Sequence, residues 1–127
     1  MITEDYVSFE TSKLLKEKGF DYISFHCYEE KGVNGILFVT LSAPLSNSDL
    51  DNTIEPHKCY SAPTLQKAMK WLKEKHKITI GIVFKGDRIY YEIHKNNEFV
   101  FGVDTPESYA KVCDEAIKYC LKLVKND

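Results

Sequence analysis

The sequence contains few of the patterns from which catalytic loops and disulfide frameworks are built. Its six glycines lie singly, so neither a dinucleotide-binding loop nor a P-loop occurs. No Gly-x-Ser-x-Gly elbow and no His-Glu-x-x-His helix occurs either. The four cysteines are too few and too scattered for a disulfide framework in a chain of this length. The sequence therefore predicts no catalytic residue and no cofactor.

Long apolar segments are also missing. The longest are short runs such as Ile36-Leu37-Phe38-Val39, whereas a membrane span needs about 20 predominantly apolar residues. The amino terminus is acidic, which is not typical of a signal peptide. We therefore expect a cytoplasmic protein with free thiols and no membrane association.

The composition is that of a globular protein. The chain has 127 residues, of which 43% are hydrophobic, 13% aromatic and 28% charged, with a net charge of −2. This content is sufficient for a packed core. The length predicts a single domain over residues 1–127.

The hydrophobic periodicity predicts the element order α-β-β-α-β-β-β-α. Helices are predicted over residues 3–18, over 63–76 with Pro63 in the first turn, and after Thr105, which would cap a helix with Pro106 at its first position. Strands are predicted over residues 21–28, 36–41, 78–85, 89–94 and 98–103. Residues 44–63 are predicted to form a long irregular loop, and a loop of this length in a compact domain is usually functional, mobile or both. We expect an α+β fold in which a mainly antiparallel, twisted sheet of about five strands carries its helices on one face.

Histidine and cysteine neighbours raise the possibility of a metal site. His26 and Cys27 are adjacent on a predicted strand, so their side chains point to opposite faces and cannot share one ion. His57 and Cys59 could share a side of the long loop, but a zinc site needs two further ligands. Cys113 and Cys120 belong to an apolar helical stripe and are predicted to be core residues. No metal site is predicted.

A polar-aromatic sheet face is the first candidate interaction surface. It would combine Tyr22, His26 and Tyr28 of one strand with Tyr90 and His94 of another. Such a face could stack nucleic-acid bases or bind a protein partner, in whose interfaces tyrosine is enriched. The alternative is that this side of the sheet is covered by the first helix or is simply exposed.

A basic helix edge is the second candidate surface. Residues 1–60 carry a net charge of −5 and residues 61–127 a net charge of +3. Within the second half, the predicted helix concentrates the lysines Lys67, Lys70, Lys73, Lys75 and Lys77. Such an edge can contact phosphates, or it can be a solvated face that keeps the domain soluble. Arg88 is the single arginine, and arginine is the usual reader of guanine.

One segment resembles a known group of proteins. The stretch from Cys59 to Glu74, with Tyr60-Ser61-Ala62-Pro63-Thr64 leading into Ala68-Met69-Lys70-Trp71-Leu72, is similar to a signature of small proteins from phages, prophages and mobile elements of gut bacteria. The amino-terminal and carboxy-terminal segments resemble the same group. The resemblance implies a small, non-secreted protein carried by mobile DNA, and it implies no reaction, cofactor or catalytic residue.

Three functional hypotheses follow. The first is a non-catalytic accessory domain that binds a protein partner, which could be a second copy of the chain. The second is a nucleic-acid-binding module that uses the Lys67–Lys77 helix edge. The third is a small hydrolase that works from the loop containing His57 and Cys59.

Overall fold

A computed structural model describes residues 5–31, 35–53 and 59–124 of the chain. It divides the chain into two compact units, residues 1–64 and 65–127. The first unit contains α1 (Phe9–Glu17), β1 (Ser24–Lys31), β2 (Gly35–Leu45), α2 (Asn47–Thr53) and β3 (Cys59–Ser61). The second contains α3 (Leu65–His76), β4 (Ile78–Lys85), β5 (Arg88–Lys95), β6 (Glu98–Thr105) and α4 (Tyr109–Leu123).

The predicted α+β class is confirmed, but the strands do not form one sheet of about five. They form two three-stranded antiparallel sheets with the orders β2-β1-β3 and β4-β5-β6. The sequence pattern gave no sign of this division because β3 is only three residues long, too short for an alternating pattern to be recognised.

The predicted 44–63 loop contains the helix α2 and the strand β3. A reciprocal cap begins α2: the Ser46 hydroxyl accepts a hydrogen bond from the Asp49 N–H, and the Asp49 carboxylate accepts one from the Ser46 N–H. This is the geometry of a capping box, and Ser46 and Asp49 stand at the corresponding spacing in the sequence. Residues 54–58 of the predicted loop lie outside the described residues.

The helices of the first unit pack on opposite faces of its sheet, not on one face as predicted. On one side, Leu50 of α2 forms a buried cluster with Cys27 and Cys59. On the other side, Phe9 of α1 packs its ring against Tyr28 and Tyr60. A short sheet sandwiched in this way buries apolar side chains from both of its faces.

The helix α1 begins later than predicted, because the preceding residues are extended. Tyr6 forms a β-bridge with Thr64, and the Val7 N–H donates to the Pro63 carbonyl at 3.1 Å. Ser8 then caps the helix by accepting a hydrogen bond from the Thr11 N–H. Of the predicted helix 3–18, residues 3 and 4 lie outside the described residues.

The second unit is a three-stranded meander with two helices. Ile89, Tyr91 and Ile93 alternate along β5 and are buried, as expected for a strand with one face in a core. The helix α3 begins at Leu65, two residues after the predicted start, and Trp71 is buried at 2% exposure. Among the described residues, no helix is long and apolar enough to span a membrane.

The start of α4 differs from the prediction by a few residues. Thr105 is the last residue of β6, and its hydroxyl accepts a hydrogen bond from the Glu107 N–H. Ser108 is the actual cap, accepting from the Lys111 N–H. Thr105 and Ser108 are both hydroxyl residues, and the sequence alone does not distinguish which of two nearby hydroxyls caps a helix.

All four cysteines are buried and none forms a disulfide, which predicts slow thiol chemistry. Burial raises the pKa of Cys27 to about 11 and that of Cys120 to about 12. The thiolate is the reactive form, so these groups are both inaccessible and protonated near neutral pH. In a dithionitrobenzoate assay at pH 8, we expect all four thiols to react rapidly in guanidinium and none to react rapidly in the native protein. A native thiol that reacts at the rate of a free cysteine would contradict this packing.

Candidate functional site

The residues of the predicted polar-aromatic face lie in two different sheets. His26 and Tyr28 lie on β1 in the first unit, whereas Tyr90 and His94 lie on β5 in the second. Tyr22 precedes β1 and contacts the ring of Phe20. The expectation of one joint face is therefore wrong, because it depended on placing both strands in the same sheet.

In the first unit, the aromatic face is covered by the amino-terminal segment. Tyr28 lies opposite Phe38 on one neighbouring strand and Tyr60 on the other, so the three rings form a row across the sheet. Phe9 of α1 packs edge-on against Tyr28 and Tyr60, with ring centroids 5.7 and 5.6 Å apart. The Tyr28 hydroxyl donates to the Val7 carbonyl at 2.6 Å. The alternative interpretation, in which the first helix covers this face, is the one the structure supports.

His26 belongs to the same covered face. Its ring stacks on Phe38 at 5.0 Å and meets the edge of Tyr6 at 4.6 Å. Cys27, the next residue, points into the opposite side of the sheet, where it packs against Leu50. The predicted divergence of His26 and Cys27 is confirmed, and the two cannot hold one ion together.

We predict that removing the Tyr28 hydroxyl destabilises the first unit. Tyr28→Phe keeps the ring but deletes the hydrogen bond to the Val7 carbonyl, which typically costs about 1 kcal/mol. Urea denaturation followed by circular dichroism measures the change in the free energy of unfolding. Tyr119→Phe is the matched control, since the Tyr119 hydroxyl makes no hydrogen bond within the described residues and its ring stacks on Phe101. Equal free energies of unfolding for Tyr28→Phe and the wild type would contradict a stabilising hydrogen bond between the Tyr28 hydroxyl and the Val7 carbonyl.

In the second unit, three polar side chains of β5 form a hydrogen-bonded row. The Tyr90 hydroxyl donates to Glu92 Oε1 at 2.9 Å, and His94 Nε2 lies 3.0 Å from Glu92 Oε2. The hydrogen bonds from His94 and Tyr90 lower the pKa of Glu92, and the bond to Glu92 raises the pKa of Tyr90. Glu92 is thus a weakened base and Tyr90 a weakened nucleophile, which is the opposite of what general-base or nucleophilic catalysis requires.

A glycine on the neighbouring strand makes room for this row. Glu92 lies opposite Gly81 on β4 and Gly102 on β6. A Cβ atom at Gly102 would lie 2.5 Å from the Tyr90 hydroxyl oxygen, so a glycine at this position lets the Tyr90 ring lie across the neighbouring strand. The row is a half-buried polar feature of one face of the sheet.

The Tyr90 pKa tests this network. Glu92→Gln removes the carboxylate that holds the Tyr90 phenol protonated, so the pKa of Tyr90 should fall towards its ordinary value of 10.0. An NMR titration of the labelled tyrosine rings measures the shift. Tyr91 is the internal control, because burial is the largest cause of its raised pKa. An unchanged Tyr90 pKa in Glu92→Gln would show that the two side chains do not interact.

The predicted basic edge lies on α3. Lys70 and Lys73 are exposed, whereas Lys67 is half-buried. Lys75 and Lys77 are also exposed. The four exposed lysines face solvent, as both the nucleic-acid interpretation and the solubility interpretation require.

The two edges of the first sheet differ in how their outward backbone groups are bonded. The Ala62 N–H donates to the His26 carbonyl, so the backbone groups of residues 60 and 62 face β1 and those of Cys59 and Ser61 face outward. The Ser61 N–H donates to Asn47 Oδ1 at 2.8 Å, and the Cys59 carbonyl accepts from Lys16 Nζ at 3.0 Å. Side chains of α1 and α2 thus close the β3 edge.

The opposite edge, β2, is not closed in this way. The alternation of antiparallel pairing directs the backbone groups of residues 37 and 39 towards β1, so those of Ile36, Phe38 and Thr40 face outward. Within the described residues, no side chain bonds to these groups. Unpaired edge groups of this kind are a template for pairing with another strand.

Exposed apolar side chains concentrate on open edges. Among the described residues, nine large hydrophobic side chains are exposed by 38 to 65%. Seven of the nine lie on the edge strands: Ile36, Leu37 and Phe38 on β2, Val83 and Phe84 on β4, and Phe99 and Val100 on β6. β2 differs from β4 and β6 in containing no charged residue along its eleven positions.

The described residues offer little support for metal or nucleophilic chemistry. No group of three or more His, Cys, Asp or Glu side chains within them is placed to hold a metal ion. Cys59 lies in the core with a pKa raised by burial, which makes it a poor nucleophile. His57, its partner in the hydrolase hypothesis, lies outside the described residues.

The comparisons assign no family. Neither the protein-family models, nor the curated proteins, nor the solved structures contain a match to this chain.

Proposed function

We propose that this chain is a non-catalytic protein-interaction domain and that the open edge of β2 pairs with the same strand of a second copy. The observation that carries the proposal is the contrast between the two edges of one sheet. Side chains bond to two outward backbone groups of β3, the Ser61 N–H and the Cys59 carbonyl, whereas no outward group of Ile36, Phe38 or Thr40 on β2 has such a partner within the described residues. Strand addition to such an edge is a common mode of recognition.

The side chains of β2 favour pairing over solvation. Ile36, Leu37 and Phe38 are consecutive and each about half exposed. Natural proteins protect open edges with charges, prolines or bulges, and on β2 such features lie only near the end of the strand, where Pro44 and the register shift between Thr40 and Leu45 occur. The pairing is therefore expected over residues 35–40, where the register with β1 is regular.

A second copy is the occupant that this strand fits best. Two antiparallel copies of β2 related by a two-fold axis present the same surface to each other, as closed symmetric dimers do. Because the strand carries no charge, no like charges meet across that axis. The edges β4 and β6 are less suited, since β4 ends at Lys85 and β6 carries Glu98 and Asp104.

Blocking the edge should yield a monomer. Thr40→Pro removes an outward N–H while leaving the bonds to β1 in place, since Thr40 is exposed and its backbone groups face away from β1. A two-fold interface loses every contact twice, and one hydrogen bond contributes about 1 kcal/mol, so we expect dimer affinity to fall roughly tenfold or more. Light scattering coupled to size exclusion should give about twice 14.7 kDa for the wild type and 14.7 kDa for the variant.

A second pair of variants tests the same proposal if Thr40→Pro does not fold. Leu37→Lys places a charge on the β2 edge beside Glu29, whereas Val83→Lys places one on the β4 edge. The two positions are matched, with side-chain exposures of 50% and 51%. Leu37→Lys should dissociate the dimer and Val83→Lys should not. A wild type that is monomeric at high concentration, or equal effects of both variants, would overturn the proposal.

Nucleic-acid binding through the Lys67–Lys77 edge is the alternative. The exposure of Lys70, Lys73, Lys75 and Lys77 supports it. The expected stacking platform is less favourable, because Phe9 covers Tyr28 and the Glu92 carboxylate stands between Tyr90 and His94. This alternative requires a mobility shift with DNA or RNA at about 50 mM salt that weakens steeply as salt rises.

A further inference from the structure

The second unit contains a cavity of about 380 Å³ at the end of α3. Its lining residues come from three places: the end of α3 and the residue after it, the start of β4, and the turn between β5 and β6. They are Lys73, Lys77, Thr79, Asn96 and Asn97. The volume lies within the range of small-molecule sites.

Backbone hydrogen bonds hold the lining together. Lys77 has a φ of 57°, the left-handed conformation that ends a helix, and its N–H donates to the Lys73 carbonyl. The Lys77 carbonyl accepts from the Asn96 N–H at 2.9 Å, which ties the end of α3 to the β5–β6 turn. Asn96 and Asn97 both have positive φ, at 53° and 67°, as a tight two-residue hairpin turn requires. The frame of the cavity is thus set by the fold before any ligand binds.

The lining side chains are donors that the described part of the chain leaves unused. Within those residues, none of the five makes a side-chain hydrogen bond or ion pair. The set comprises two ammonium groups, two side-chain amides and one hydroxyl. Among the described residues, no carboxylate lines the cavity. A concave site with an excess of donors and a charge of +2 is complementary to an anion.

We propose that this cavity binds the phosphate monoester of a small molecule. A monoester carries a charge between about −1.5 and −2 at neutral pH and three acceptor oxygens, which matches two lysines and three neutral hydrogen-bonding groups. A diester of a nucleic-acid backbone carries one charge per nucleotide and is contacted along an extended surface. This proposal is independent of the pairing of β2.

The helix dipole opposes an anion here, but only weakly. The carboxyl-terminal end of a helix carries the equivalent of about half a negative charge. The two lysines supply a full positive charge each, and the carbonyls of Lys73 and Lys77 already accept backbone hydrogen bonds. The net potential of the cavity is therefore positive.

The side-chain amides of Asn96 and Asn97 provide a direct readout by NMR. Titration with methyl phosphate should shift both amide resonances saturably, and dimethyl phosphate should bind several-fold more weakly because it is a monoanion. Lys73→Gln and Lys77→Asn should each weaken methyl phosphate binding roughly tenfold, since hydrogen bonds to charged groups contribute about 1.5 kcal/mol or more. Asn is used at position 77 because it tolerates positive φ.

Lys70→Gln and Lys75→Gln are the matched controls. Both lysines are exposed on the same helix but neither lines the cavity, so these variants should bind methyl phosphate as the wild type does. Equal binding of the monoester and the diester, or equal losses in Lys70→Gln and Lys73→Gln, would overturn the proposal in favour of diffuse attraction. Tighter binding of a short oligothymidylate that depends equally on Lys70 would also overturn it and would favour the nucleic-acid edge.

Discussion

A three-stranded sheet has two edge strands whose outward N–H and C=O groups must find partners, and this constraint governs the first unit. At β3, side chains of the two helices provide such partners. Asn47 accepts from the Ser61 N–H, and Lys16, which also pairs with Asp51, donates to the Cys59 carbonyl. Both helices of the unit are thereby anchored to the same short strand. At β2 the chain supplies no equivalent side chain among the described residues, and the apolar side chains there are half exposed.

The aromatic face of the first sheet is covered by the amino-terminal segment, so the β2 edge is the part of this sheet that remains for an interaction. Phe9, Tyr28 and Tyr60 pack against one another over the sheet, and the Tyr28 hydroxyl anchors the extended segment at Val7. On the second sheet, Glu92 draws Tyr90 and His94 into a row of hydrogen bonds along β5. In both cases the polar atoms of the aromatic side chains are used within the protein. An interaction surface built on these rings would first have to break those contacts.

Local patterns were sufficient to predict most elements of the second unit and the burial of its core. The observed strands over residues 78–85, 88–95 and 98–105 agree with the predicted 78–85, 89–94 and 98–103 to within two residues at either end, because their apolar alternation is regular. The division into two sheets was not predictable in this way, since strand order depends on long-range pairing. The cavity was missed for a similar reason: Lys73 and Asn97 are far apart in sequence, and only the left-handed turns at Lys77 and Asn96 bring their segments together.

The central claim is that the outward backbone of β2 pairs with another copy, and hydrogen–deuterium exchange at two protein concentrations tests it most directly. Backbone amides exchange slowly when hydrogen-bonded and rapidly when open to water. The account predicts that amides of Ile36, Phe38 and Thr40 become protected as concentration rises, whereas those of the edge strands β4 and β6 do not change. Exchange at the amides of Ile36, Phe38 and Thr40 that is rapid and independent of concentration would contradict it.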